Sequence, residues 1–185
     1  ASFLPPNGNT NTNANGNTNA NANGKSKAPA ISFRCAKATD LPAIQAIMEA
    51  AYTPYIAVMG QKPAPMLADY AAHLNQDTVF VTERLSDQTA SLLAYAIIIK
   101  KPSGYWLENI AVSPAASGQG LGSALIRHLE DYLRQAADHY QLYTNIRMTA
   151  NMAWYERLGF VETRRERDDG YERVFYKKIL TTPTH

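Results

Sequence analysis

The stretch from 104 to 145 constrains the fold of this chain more than any other. An apolar strand pattern, "GYWLENIAV" (104–112), runs into "SPAASGQGLG" (113–122). A helix pattern follows at once, from about Gly118 to His139, and then a second strand pattern, "QLYTN" (141–145). Leu121, Leu125, Leu129, Tyr132, Leu133 and Ala136 recur at helical spacing and mark the buried stripe of that helix. Strand, helix and strand in this order predict one βαβ crossover.

The elements around it are of another kind. "ISFRCA" (31–36) reads as a strand. Thr39 is a plausible N-cap for a helix from Asp40 to about Tyr52, with Leu41, Ile44, Ile47 and Met48 on one face. A proline-rich break, "PYIAVMGQKPAPM" (54–66), and a short helix near 67–75 follow. "TVFVTE" (78–83) and "ASLLAYAIIIK" (90–100) read as antiparallel strands joined by a polar turn. "TANMAWYERLG" (149–159) is a helix stopped by Gly159. "FVETRRER" and "YERVFYKKI" flank Asp169-Gly170, a strong hairpin signal. The expected fold is therefore α/β: a mostly antiparallel twisted sheet of about seven strands with one crossover and about four helices on both faces. It is not a doubly wound sheet.

Residues 7–23 carry asparagine at every odd position and cannot form an apolar face. Residues 1–29 are read as a disordered or loosely docked tail, and 30–185 as one domain. Lys25 and Lys27 supply the whole net charge of +2, so the remainder is neutral. A neutral body argues against a nucleic-acid binder held by phosphate neutralisation. No apolar run reaches membrane-spanning length, and the start of the chain lacks a signal-peptide pattern. The expectation is a cytoplasmic protein with no membrane partner. The single cysteine, Cys35, excludes an internal disulfide and is expected to be a buried free thiol. No metal-ligand spacing appears among the four histidines and one cysteine.

Glycine costs backbone entropy, so its clustering at a helix entrance needs a reason. A strand running into such a helix exposes unpaired amides where the helix dipole favours an anion. Gly118, Gly120 and Gly122 remove side chains that would keep a phosphate away. The segment lacks the Lys-Ser/Thr of a P-loop and does not match the dinucleotide fingerprint. Taken alone, the glycines serve a tight turn equally well.

A second cluster adds to the first. "LENIAVSP" followed by "SGQGLGSALI" resembles the coenzyme-binding motif of the GNAT superfamily of acyl-CoA-dependent N-acetyltransferases. "NMAWYERLGFVET" resembles the second motif of that family, and the element order over about 31–180 is similar too. The resemblance implies acetyl-CoA as co-substrate and no metal. It implies that the amides of Gln119, Gly120, Leu121, Gly122 and Ser123, beside Ser117 and Gly118, cradle the coenzyme diphosphate. It implies that the strand ending Ile110-Ala111-Val112 splays from its neighbour and pairs with the pantetheine arm. The amide near Val112 would polarise the thioester carbonyl, and Tyr155 would give a proton to the leaving thiolate. Two positions depart from the motifs. Ser117 stands where Arg or Gln is usual, and Met148 where Asn is usual, seven residues before the tyrosine. Asn151, one helical turn before Tyr155, or Asn145 at a strand end would then take the pantetheine contact.

Amide formation needs a neutral amine, so a base must take a proton. Glu108 is the candidate; strand alternation puts it on one face with Trp106, Ile110 and Val112. Its alternative is an ordinary surface or ion-paired glutamate. Tyr52, Tyr55, Met66 and Asp69 are candidates for the acceptor site, since aromatics beside an acid suit an amine with an apolar body. The hairpin arginines could meet a carboxylate or form a solvated charged face. The function expected is transfer of an acetyl group to a primary amine of a small molecule or peptide, by direct attack in a ternary complex. A closed, tyrosine-lined pocket would favour a small molecule, and an open groove a peptide. The alternative is a non-catalytic acyl-CoA sensor. A homodimer whose second copy completes the site is also compatible with the sequence.

Overall fold

The computed structural model describes residues 30–86, 89–168 and 170–180. The asparagine-rich segment lies outside them. The elements are β1 (Ala30–Cys35), α1 (Leu41–Met59), α2 (Tyr70–Gln76), β2 (Thr78–Leu85), β3 (Ala90–Lys101) and β4 (Gly104–Val112). They continue with α3 (Leu121–Leu133), β5 (His139–Asn145), α4 (Thr149–Arg157), β6 (Val161–Asp168) and β7 (Tyr171–Ile179). The seven strands form one sheet in the order β1-β2-β3-β4-β5-β7-β6. Every neighbouring pair is antiparallel except β4 and β5, the two strands that α3 connects. The expected mixed sheet, with its single crossover and four helices, is the observed one.

Each face of the sheet buries its own core. On one face, α3 and α4 cover Ala96, Ile98, Leu107, Ile110, Val112, Leu142 and Tyr176. On the other, α1 and α2 cover Val79, Val81, Tyr95, Ile97 and Ala111. The stripe on α3 is Leu121, Leu125, Leu129 and Leu133 as the spacing predicts, joined by Ile126. The helix stops earlier than expected, so Ala136 falls beyond it, and Tyr132 is 42% exposed.

Three local readings are corrected. The first helix does not end near Tyr52; it runs through Pro54 to Met59 and stops at Gly60, which takes φ 71°. Proline removes one ladder hydrogen bond. Beyond it, Tyr55 and Met59 still pack onto the core, which offsets that loss. Cys35 is exposed rather than buried, because it is the last residue of an edge strand. The third concerns Glu108. The ladder joins Ile97 to Asn109 and Ile98 to Leu107, so Glu108 is the extra residue of a β-bulge. A bulge breaks the alternation: Glu108 turns to the α1–α2 face, while Leu107, Ile110 and Val112 face α3.

Behind the crossover, Glu130 of α3 is buried and accepts from Tyr140 Oη and Lys178 Nζ, both at 2.6 Å. Removing one member of a buried charged set strands the others. Glu130→Ala is therefore expected to lower unfolding free energy by about 3 kcal/mol. Urea denaturation of both proteins checks this.

Candidate active site

β4 and β5 are paired only at Tyr105–Tyr140 and Trp106–Gln141. Past Trp106 they part, directly before the bulge at Glu108, where the local twist of β4 rises. The last part of β4 keeps β3 on one side and, among the described residues, has no strand on the other. Ser113 donates its amide to the Leu93 carbonyl on β3 at 2.7 Å. Successive residues of a strand address opposite edges. The Val112 amide therefore points into the gap that β5 has left, and so do the peptide groups of Ile110.

α4 packs into the core that also holds Ile110, Val112 and Leu142, with Asn151 and Tyr155 one turn apart. Both are 0% exposed. Asn151 Oδ1 and the Tyr155 hydroxyl are buried with no hydrogen-bond partner among the described residues. Unpaired buried polar atoms are rare in folded proteins and call for an explanation. Asn151 Nδ2 donates to Met148 Sδ at 3.4 Å. Trp154, Phe160 and Tyr176 pack around the Tyr155 ring. Burial, helped by the nearby phenols of Tyr55 and Tyr176, holds the Tyr155 hydroxyl well above the ordinary tyrosine range. It is a protonated donor at neutral pH.

At the mouth of the gap a short 3-10 turn, Pro114–Ala116, leads into the glycines. Gly118 and Gly120 take φ 78° and 73°, left-handed values that favour glycine. Gly120 is the N-cap of α3, and no side chain caps the helix. Among the described residues, the amides of 118–123 have no acceptor. A Cβ on Gly120 would meet no atom within 4 Å, so the space above the amides is open. Ser117 precedes this turn in extended backbone, and Gly122 is buried within the first turn of α3. Open amides at a helix start, a strand edge left bare by β5 and two buried polar atoms without partners among the described residues fit an ester of diphosphate with a polar tail.

The opposite face holds Glu108. Its Oε1 accepts from the Tyr143 hydroxyl at 3.4 Å, and its Oε2 is buried without a partner among the described residues. It lines a cavity of about 50 Å³ with Ala64, Pro65, Ala68, His73, Asn109 and Tyr143. That is room for a few water molecules. Ala64 and Tyr143 also line a second cavity, which shares Met59 and Asn145 with a third of about 330 Å³. The third shares Ile146, Arg167 and Glu172 with a fourth. These four separate cavities, linked by shared lining residues, mark a groove from Glu108 to the β6–β7 hairpin.

The remaining sequence candidates sit around this groove and gap in different ways. Tyr52 is fully buried, its hydroxyl 2.9 Å from both the Ile110 carbonyl and Asn109 Oδ1. It braces β4 from inside the core. Tyr55 and Met66 are half-buried against the same core. Asp69 caps α2 by accepting from the Ala72 amide at 3.0 Å. Asn145 accepts from the Arg147 amide and lines the groove, whereas Asn151 is fully buried on α4. Of the hairpin arginines, Arg164, Arg165 and Arg167 pair with Glu166, Glu162 and Glu172.

Sequence reasoning missed Asn109. It donates to the Tyr70 hydroxyl at 2.8 Å, and Tyr70 donates to the Pro65 carbonyl at 2.9 Å. This chain ties the groove wall to the bulge. A lone amide between Leu107 and Ile110 was the available signal. Tyr143 and His73 gave none, because only the fold brings them to Glu108.

A family model described as the acetyltransferase (GNAT) family matches residues 44–160, more than half of the chain. The chain belongs to the GNAT acetyltransferase family. As a GNAT enzyme it is an acyltransferase that uses acetyl-CoA. Solved GNAT structures share its fold. The ribosomal-protein-S18-alanine N-acetyltransferase of Escherichia coli is 23% identical with a TM-score of 0.66, covering 84% of this chain and 97% of that one. An N-acetyltransferase from Staphylococcus aureus Mu50 is 22% identical with a TM-score of 0.59, covering 82% and 99%. The yncA protein of Salmonella typhimurium, solved with its cofactor acetyl-CoA, is 20% identical with a TM-score of 0.58, covering 82% and 94%. No curated protein matches the sequence. Among the described residues, no helix is long and apolar enough to cross a membrane, and no cluster of side chains could hold a metal ion.

Proposed function

We propose that this GNAT enzyme acetylates a primary amine carried by an extended, peptide-like acceptor, by direct attack in a ternary complex. The observation that carries this reading is the groove marked by these cavities, which starts at Glu108 and extends to the β6–β7 hairpin. A closed pocket would instead favour a small amine.

Acetyl-CoA supplies the activated acetyl thioester. The amides of 118–123 would receive its diphosphate at the positive end of α3. The Ile110 and Val112 peptide groups, on the edge without a strand, would pair with the pantetheine arm. Asn151 Oδ1 would accept from one of its amides. The Val112 amide would hold the thioester carbonyl as charge develops on its oxygen. Glu108, directly or through water in the cavity beside it, would take a proton from the incoming ammonium. The freed nitrogen forms the C–N bond, the C–S bond breaks, and the Tyr155 hydroxyl gives its proton to the thiolate. The second proton that leaves the nitrogen as the amide forms restores the Tyr155 hydroxyl.

Thiol release with a panel of amines and short peptides tests the reading. Release with peptides and none with small amines is expected; binding of acetyl-CoA without release for any acceptor would support a sensor instead. Tyr155→Phe is expected to lower kcat at least about tenfold with acetyl-CoA affinity nearly intact. Unchanged kcat would remove Tyr155 from the mechanism.

A further inference from the structure

A diphosphate brings two negative charges to neutral amides, so a cation close to the cradle would add much to its binding. The structure offers one from across the sheet. Arg84, near the end of β2, donates from Nη2 to Oε1 of Gln119 at 2.9 Å. Gln119 sits between the two glycines of positive φ, within the run of open amides. No other charged side chain is hydrogen-bonded to 117–123 among the described residues.

Arg84, like Arg147, is hydrogen-bonded to a neutral group, whereas several other arginines hold carboxylates. Arg34 is shared between Asp40 and Glu83, and Arg164, Arg165 and Arg167 each hold a carboxylate. Arg84 holds a neutral amide and pairs with no carboxylate among the described residues. Its charge is thus held beside the cradle, with no carboxylate of the described residues against it. Position 117, next to the first glycine, is a serine and adds no charge.

We propose that Arg84 is the coenzyme-positioning cation of this enzyme: its guanidinium, held over the cradle by Gln119, pairs with the diphosphate of acetyl-CoA. The inference rests on the coenzyme site assigned above and adds a residue from a strand outside both sequence motifs.

Calorimetric titration tests it with acetyl-CoA, its 3′-dephospho form and acetyl-pantetheine, against the unaltered protein, Arg84→Ala and Arg84→Lys. Hydrogen bonds to charged groups set the scale. Arg84→Ala is expected to weaken acetyl-CoA and the dephospho form alike, by about 10- to 100-fold, and to leave acetyl-pantetheine unchanged. Arg84→Lys should recover part of the loss, and the unaltered protein should show the steeper salt dependence. Equal acetyl-CoA affinity in Arg84→Ala would overturn the proposal. So would a loss confined to the form bearing the 3′-phosphate, or one extending to acetyl-pantetheine. If the unaltered protein bound no acetyl-CoA, the functional reading itself would fall, and this inference with it.

Discussion

Glu108→Gln is expected to lower kcat by about 10²–10⁴-fold at neutral pH, the range typical of a positioned base. Glutamine keeps the size of the side chain and can still accept from Tyr143, so the fold should be unaffected. What it loses is the ability to take a proton. A bulge turns Glu108 out of the α3 face, and its Oε2 is buried with nothing to bond beside room for water. That is where a proton acceptor for an amine in the groove belongs. The deficit should narrow as pH rises toward the pKa of the acceptor amine, because the nucleophile then arrives neutral. An ion-pairing role alone would move KM and leave kcat in place. A variant with kcat within about threefold of the unaltered enzyme at pH 7 would exclude Glu108 as the base.

Gly120→Val is expected to abolish acetyl-CoA binding. The side chain would project into the open space over the amides, where the diphosphate must lie. Valine at φ 73° also strains the backbone by about 1–2 kcal/mol, which could disturb the start of α3 by itself. The protein contains a matched control. Gly60, at the end of α1, has φ 71° and likewise nothing within 4 Å of its added Cβ. Gly60→Val should lose comparable thermal stability and keep its coenzyme affinity. Equal affinity in the two variants, by calorimetry, would reject the cradle.

Much of this was legible in the sequence because single local signals agreed. The glycine run and the leucine stripe on α3 specify the crossover, and the strand patterns on either side of 169–170 specify the paired β6 and β7. The parts that were not legible depend on contacts made late. Pro54 reads as a helix stop, but the packing of Tyr55 and Met59 carries α1 past it. Strand alternation put Glu108 beside Ile110; one extra residue in β4 reversed that, and a bulge leaves no mark in the composition of "LENIAV". Tyr52 looked like an acceptor contact because tyrosines suit amines. Its hydroxyl instead lies against the Ile110 carbonyl and Asn109. Arg84 lies 35 residues before Gln119, and no spacing rule connects them.

A crystal structure with acetyl-CoA bound is the most direct measurement of the central claim. The account predicts the diphosphate against the amides of 118–123. It also predicts the pantetheine along Ile110–Val112 in the gap, and the sulfur within hydrogen-bonding reach of the Tyr155 hydroxyl. A coenzyme bound elsewhere, or one whose thioester stays outside the gap between β4 and β5, would contradict it.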